Sequence, residues 1–129
     1  MSELRSKKCT PCEVGAIPML PFEVEENLRK LHKDWESKDD KHIERKLTFK
    51  NFMEAMEFAN EVAQLAEEEG HHPTLTISWG MVRVKLYTSK IGGLHENDFI
   101  LASKVDQLAE KLAYQASKNT KKELLNGKI

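Results

Sequence analysis

Two runs of strict alternation on either side of Gly80 constrain this chain more than any other feature. Before the glycine, Leu75, Ile77 and Trp79 alternate with Thr74, Thr76 and Ser78; after it, Val82, Val84 and Leu86 alternate with Arg83, Lys85 and Tyr87. A period of two marks strands with one apolar face, and the glycine between them predicts a hairpin. Such a sheet must cover its apolar face with other elements.

Amphipathic helices are available to do so. Asn51 is placed as an N-cap. Phe52, Ala55, Met56, Ala59, Val62, Ala63 and Ala66 then follow helical spacing through Glu69, and Gly70 ends the run. A last helix starts at Asn97 and Asp98 and buries Phe99, Ala102, Val105, Leu108, Ala109, Leu112 and Ala116. A shorter helix that follows Pro21 and ends near Lys33 carries Val24, Leu28 and Leu31. His42 to Phe49 reads as a half-buried strand whose alternation Arg45 breaks, and Trp35 to Ser37 as a brief strand before a polar turn. The order α-β-β-α-β-β-α predicts an α+β fold: a two-layer sandwich of one four-stranded antiparallel sheet with helices on one face.

With 129 residues the chain fits one domain. We divide it into an N-terminal arm, 1–22, read as extended; a domain, 23–118; and a tail, 119–129, where the helical pattern is lost. The formal net charge of -1 gives no basic face, so nucleic acid and membranes are not expected partners. No apolar run reaches membrane-spanning length, and the charged N-terminus lacks a secretory core, so a cytoplasmic location is expected. Cys9 and Cys12 have no second cysteine pair to complete a zinc site. A structural or incidental pair is expected, no metal is assigned, and a redox or zinc module is the weaker alternative.

His71-His72-Pro73 follows the long helix directly. Pro73 biases His72 away from helix, and consecutive side chains in extended chain point apart. Imidazole titrates near neutrality, which suits proton transfer in both directions. The plainer alternative is a polar helix exit. Glu67 lies four residues before His71, where continued helix would place a carboxylate to orient the ring. Asp98 alone reads as a favourable charge at a helix start. Trp35 is an aromatic that either stacks on a flat ligand or anchors a loop. Ile91-Gly92-Gly93-Leu94 lacks the lysine and spacing of a phosphate loop.

Taken together, Phe49-Lys-Asn-Phe52 with Ala55, Ala63 to Pro73, the hairpin and Gly92-Gly-Leu-x-Glu-Asn-Asp-Phe99 resemble the pterin-4a-carbinolamine dehydratase family. The family is also known as a dimerisation cofactor of a homeodomain transcription factor. The resemblance runs from Trp35 to about Leu108, and the cysteine arm is similar to that of many bacterial members. Glu67, His71, His72, Pro73, Trp79 and Asp98 match its signature, whereas Ser89 stands where the family has a further histidine.

The resemblance implies dehydration of 4a-hydroxytetrahydrobiopterin to quinonoid dihydropterin, in tetrahydrobiopterin recycling, with no metal or organic cofactor. It implies His71 and His72 as the catalytic groups. It also implies Glu67, Asp98, Trp35, Pro73 and Ser89 as substrate-binding positions, with Trp35 packed on the pterin ring. A homodimer or homotetramer is implied as well. Because serine cannot carry a proton near neutral pH, the alternative is a weak or inactive member acting as a pterin-binding or protein-assembly/transcription-coactivator scaffold. His95 is the other candidate for the third position.

Overall fold

The computed structural model describes residues 2–9 and 16–125, with side chains placed for 4–9 and 16–113. Its elements are α1 (Ser2–Ser6), α2 (Pro21–Leu28), β1 (Ile43–Thr48), α3 (Phe52–Glu69), β2 (Thr74–Ser78), β3 (Met81–Leu86) and α4 (Glu96–Leu125). A short 3-10 turn, Ser89–Ile91, leads from β3 toward α4.

The hairpin forms as expected. β2 and β3 pair antiparallel, with Leu75 opposite Val84 and Ile77 opposite Val82. Gly80 turns the chain at φ 67°. A Cβ there would stand 2.9 Å from the Phe49 carbonyl oxygen, so the turn needs glycine for space as well as for φ. Trp79 falls outside the strand and is 73% exposed, so it does not continue the apolar face of Leu75 and Ile77.

β1 pairs with the other side of β3, giving the order β1-β3-β2. The sheet therefore has three strands among the described residues, not the four expected. The Trp35 to Ser37 segment contributes one bridge, Glu36 to Glu44. Its neighbour Trp35 turns inward, and the Trp35 N–H bonds the His32 carbonyl in a tight turn, which ends the pairing after one residue.

Arg45 does not break the alternation. It is buried on the same face as Ile43 and Leu47. Its Nη1 lies 2.5 Å from Asp106 Oδ1 on α4. The same carboxylate accepts the Trp35 indole N–H at 2.7 Å and the His32 backbone N–H at 2.9 Å. A buried charge without a partner would cost several kcal/mol, more than the roughly 1.5–3 kcal/mol from burying one large apolar side chain. The pattern of alternation survives because Asp106 completes it from a distant helix.

α3 matches its expected limits. Asn51 accepts from the Glu54 N–H at 2.8 Å, and Gly70 closes the helix at φ 68°. Its buried stripe is Ala55, Phe58, Ala59, Val62 and Ala66; Phe52 and Ala63 are exposed, and Phe58 takes the central place. α3 packs on β2 and β3, and α4 packs on α3. Phe99, Ala102 and Val105 of α4 are fully buried, while Leu108, Ala109 and Leu112 are partly so; the Ala116 side chain lies outside those described.

Three boundaries differ from expectation. α2 ends at Leu28 and passes into turns, although Leu31 is still buried. The arm is not wholly extended: Ser2–Ser6 is helical, packs on α4 and buries Leu4. α4 runs on to Leu125, through most of the segment read as a fraying tail. Cys12 lies outside the described residues.

Candidate active site

The exit of α3 sets the first histidine. Gly70 takes the left-handed conformation, and the His71 N–H reaches back to the Ala66 carbonyl at 3.2 Å. This closure swings His71 off the helix face. Its ring meets Asp98 instead, with Nε2 2.6 Å from Oδ1; the His71 side chain is 13% exposed and that of Asp98 0%.

Asp98 sits in the first turn of α4, where the helix dipole favours a carboxylate. Its second oxygen accepts the Thr88 hydroxyl at 2.8 Å and the His95 N–H at 3.0 Å. The His95 ring accepts the Asn97 N–H at Nδ1, at 3.0 Å. His95 and Asp98 together form a reciprocal cap of α4, each satisfying an otherwise orphaned N–H. His95 is therefore committed to the helix start through its Nδ1, and it is half-buried.

His72 has its own carboxylate. Its Nε2 lies 2.5 Å from Glu67 Oε2, in a pair that is well exposed at 60% and 76%. The expectation that Glu67 orients His71 is thus not met: Glu67 is brought to His72. Exposed pairs of this kind contribute at most about 1 kcal/mol to stability.

The two rings share one feature. An ionised carboxylate only accepts, so each Nε2 must carry the proton it shares. Each Nδ1 is then left with its lone pair in the neutral ring, and neither Nδ1 has a protein partner among the described residues. A ring held in this way can take up a proton at Nδ1 and return it.

The remaining positions separate. Pro73 is half-buried and carries the chain into β2. Ser89 is exposed at the start of the 3-10 turn. Trp35 is 5% exposed, and its indole N–H is committed to Asp106, so it is a core anchor and its face is not open to a ligand. Thr88 was not singled out from the sequence. The signal was present, since Thr88 continues the inward series Val82, Val84, Leu86 as a polar member. A groove of about 570 Å³ is lined by Arg45, Leu47, Phe49 and Leu112, and none of His71, His72, Glu67, Ser89 or Asp98 contributes to it.

The arm also reaches this region. The Cys9 thiol donates to the Asn97 carbonyl at 3.6 Å. Burial, with the nearby Glu69 charge, pushes the thiol up to about 12, so Cys9 is not a nucleophile at neutral pH. This argues against the redox alternative as far as Cys9 carries it.

Comparison with known proteins places the chain in a family and agrees with the fold. The sequence pattern of the family described as Pterin 4 alpha carbinolamine dehydratase matches residues 18–108. A protein of Alkaliphilus metalliredigens is 47% identical over 107 residues, covering 83% of this chain and 96% of its own. One of Methylococcus capsulatus is 52% identical over 107 residues, covering 82% and 93%. Both are named "Putative pterin-4-alpha-carbinolamine dehydratase". A crystal structure of a transcriptional coactivator/pterin dehydratase from Brucella melitensis superposes with a TM-score of 0.66 at 32% identity, covering 71% of this chain and 98% of that one. A pterin dehydratase-like protein identified as a RuBisCO assembly factor shares the fold, with a TM-score of 0.52, 24% identity, and coverage of 60% and 92%. The chain therefore belongs to the pterin-4a-carbinolamine dehydratase family.

Proposed function

We propose that this chain dehydrates a 4a-hydroxytetrahydropterin to the quinonoid dihydropterin, with His71 and His72 as the proton-transferring groups. The observation that carries this reading is the His71–Asp98 pair, a half-enclosed imidazole fixed at Nε2 by a fully buried carboxylate. In the reaction the C4a–O bond breaks and a C4a–N5 double bond forms. The hydroxyl leaves as water after gaining one proton, and N5 loses one. The protons balance, so one acceptor and one donor are sufficient.

His71 is the acceptor in this scheme. Its Nδ1 takes the N5 proton while Asp98 stabilises the resulting imidazolium. Asp98 is kept in place by Thr88 and the His95 N–H, so it need not reorganise as charge develops. His72, in its protonated form on the exposed Glu67, delivers its Nδ1 proton to the leaving hydroxyl; solvent then re-protonates His72 and takes up the proton held by His71. Ser89 is available only as a hydrogen-bonding group to the pterin, and Pro73 fixes the direction of the chain after the two histidines. Trp35 has no contact role and acts through the core. Self-association as a homodimer or homotetramer, and service in tetrahydrobiopterin recycling, complete the reading. Exposed Phe52, Met53 and Trp79 supply apolar surface for association.

The test is stopped-flow dehydration of the 4a-carbinolamine. The purified protein should accelerate water loss over the uncatalysed rate, and His71→Ala should lower that acceleration roughly 10²–10⁴-fold. A second reading follows from Ser89, which places no imidazole where the family has one. An unaltered protein with no acceleration, made active by Ser89→His, would establish a scaffold in place of an enzyme.

A further inference from the structure

Glu69 is the last residue of α3, two before His71. Its side chain is 6% exposed and touches two other parts of the chain. Oε2 lies 2.7 Å from Lys104 Nζ on α4, whose side chain is 14% exposed. Oε1 accepts the Cys9 backbone N–H of the arm at 3.0 Å. Lys104 follows Asp98 by six residues on one continuous helix, about 9 Å along its axis. One carboxylate thus ties the exit of α3, which presents His71, to α4, which presents Asp98, and to the arm.

The arm is fastened around the same segment at further points. Cys9 donates its thiol to Asn97, the residue before Asp98. The Met19 N–H bonds the Leu94 carbonyl at 2.9 Å. Pro18 lies so close to Gly93 that a Cβ there would come within 2.6 Å of its own Cβ. The family pattern begins at residue 18, so the Cys9 side of this clamp precedes it.

We infer that Glu69 is a positioning residue for the His71–Asp98 pair: bridging Lys104 and Cys9, it sets the separation of α3 exit and α4 entrance on which the imidazole–carboxylate contact depends. Magnitudes favour geometry over stability as its use. A buried ion pair gains little net stability over apolar packing, because desolvation offsets most of the attraction. A displacement of 1 Å at a reacting group, by contrast, costs up to about 10²-fold in rate. The kinetic part of this inference rests on the dehydratase reading; the structural part does not.

The test uses the full chain with Glu69→Gln, Lys104→Met and Lys104→Arg. Long-range proton–nitrogen NMR reads which nitrogen of neutral His71 carries the proton, and stopped flow reads dehydration. In the unaltered protein the proton should be on Nε2. Glu69→Gln and Lys104→Met should give mixed tautomers and lower kcat about tenfold or more, with KM changed less than about twofold. Lys104→Arg, which keeps the charge and the donor, should stay within about twofold of the unaltered protein on both counts. If Lys104→Met does not fold, the near-isosteric Glu69→Gln decides. An unchanged His71 tautomer in a folded variant, even with a lower melting temperature, overturns the clamp. Absence of dehydration by the unaltered protein counts instead against the proposed function and leaves the tautomer measurement to decide this inference.

Discussion

His71 and Asp98 are 27 residues apart in sequence and 2.6 Å apart in space, across a carboxylate with no exposed surface. Asp98 spends its two oxygens on three donors: His71 Nε2, the Thr88 hydroxyl and the His95 N–H. This concentration of partners on one buried charge is the physical centre of the candidate site. It also makes each partner separately testable.

Thr88→Val removes one donor from Asp98 while keeping shape. Leaving that buried oxygen short of a hydrogen bond should cost about 1–3 kcal/mol of stability, measured by urea unfolding. Thr88→Ser should recover most of it. A loss under about 0.5 kcal/mol for Thr88→Val would mean that the hydroxyl does not support the carboxylate.

Asp106→Ala should be more severe. It strands the Arg45 guanidinium, whose side chain is 10% exposed, and removes the acceptor of the Trp35 and His32 N–H groups. Breaking a buried pair from one side costs about 3–5 kcal/mol. Chemical denaturation showing a change below about 1 kcal/mol would contradict this account of the core.

Cys9 should resist alkylation in the folded protein. With its thiol pushed up to about 12, the reactive thiolate at pH 8 is on the order of one part in 10⁴. In a Cys12→Ser background, iodoacetamide should label Cys9 slowly until denaturant is added. Equal rates in native and unfolded protein would show that the thiol is not held against Asn97.

Acid stability should carry the mark of Glu69. Burial alone would raise its carboxyl, but the hydrogen bonds from Lys104 and the Cys9 N–H, with the Lys104 charge, outweigh it and hold it below its ordinary value of 4.5. A carboxyl depressed in the folded state contributes stability above its unfolded pKa, and that contribution is lost as pH falls through the folded one. Between about pH 5 and 3 the unaltered protein should therefore lose stability more steeply than Glu69→Gln. Parallel curves in acid urea titrations would contradict the assignment.

Local signals in the sequence carried much of this structure. Alternation located β2 and β3, and Asn51 and Gly70 bounded α3 because capping is a property of single residues. Distant partners were hidden. Arg45 looked like a break in a pattern because a period of two registers polarity and cannot register Asp106, 61 positions away. Trp35 looked available to a ligand for the same reason. Glu67 was matched to the wrong histidine because spacing of four assumes that the helix continues, whereas the left-handed Gly70 turns His71 away and leaves Glu67 with His72. Thr88 was missed because its partner oxygen belongs to another element.

The central claim is that His71 and Asp98 work as one unit, and a double-mutant cycle on dehydration tests it most directly. His71→Ala and Asp98→Asn should each lower kcat by roughly 10²–10⁴-fold, and the double variant should be no slower than the worse single one, because neither group retains its role without the other. Losses that multiply in the double variant would show two independent contributions and contradict the account.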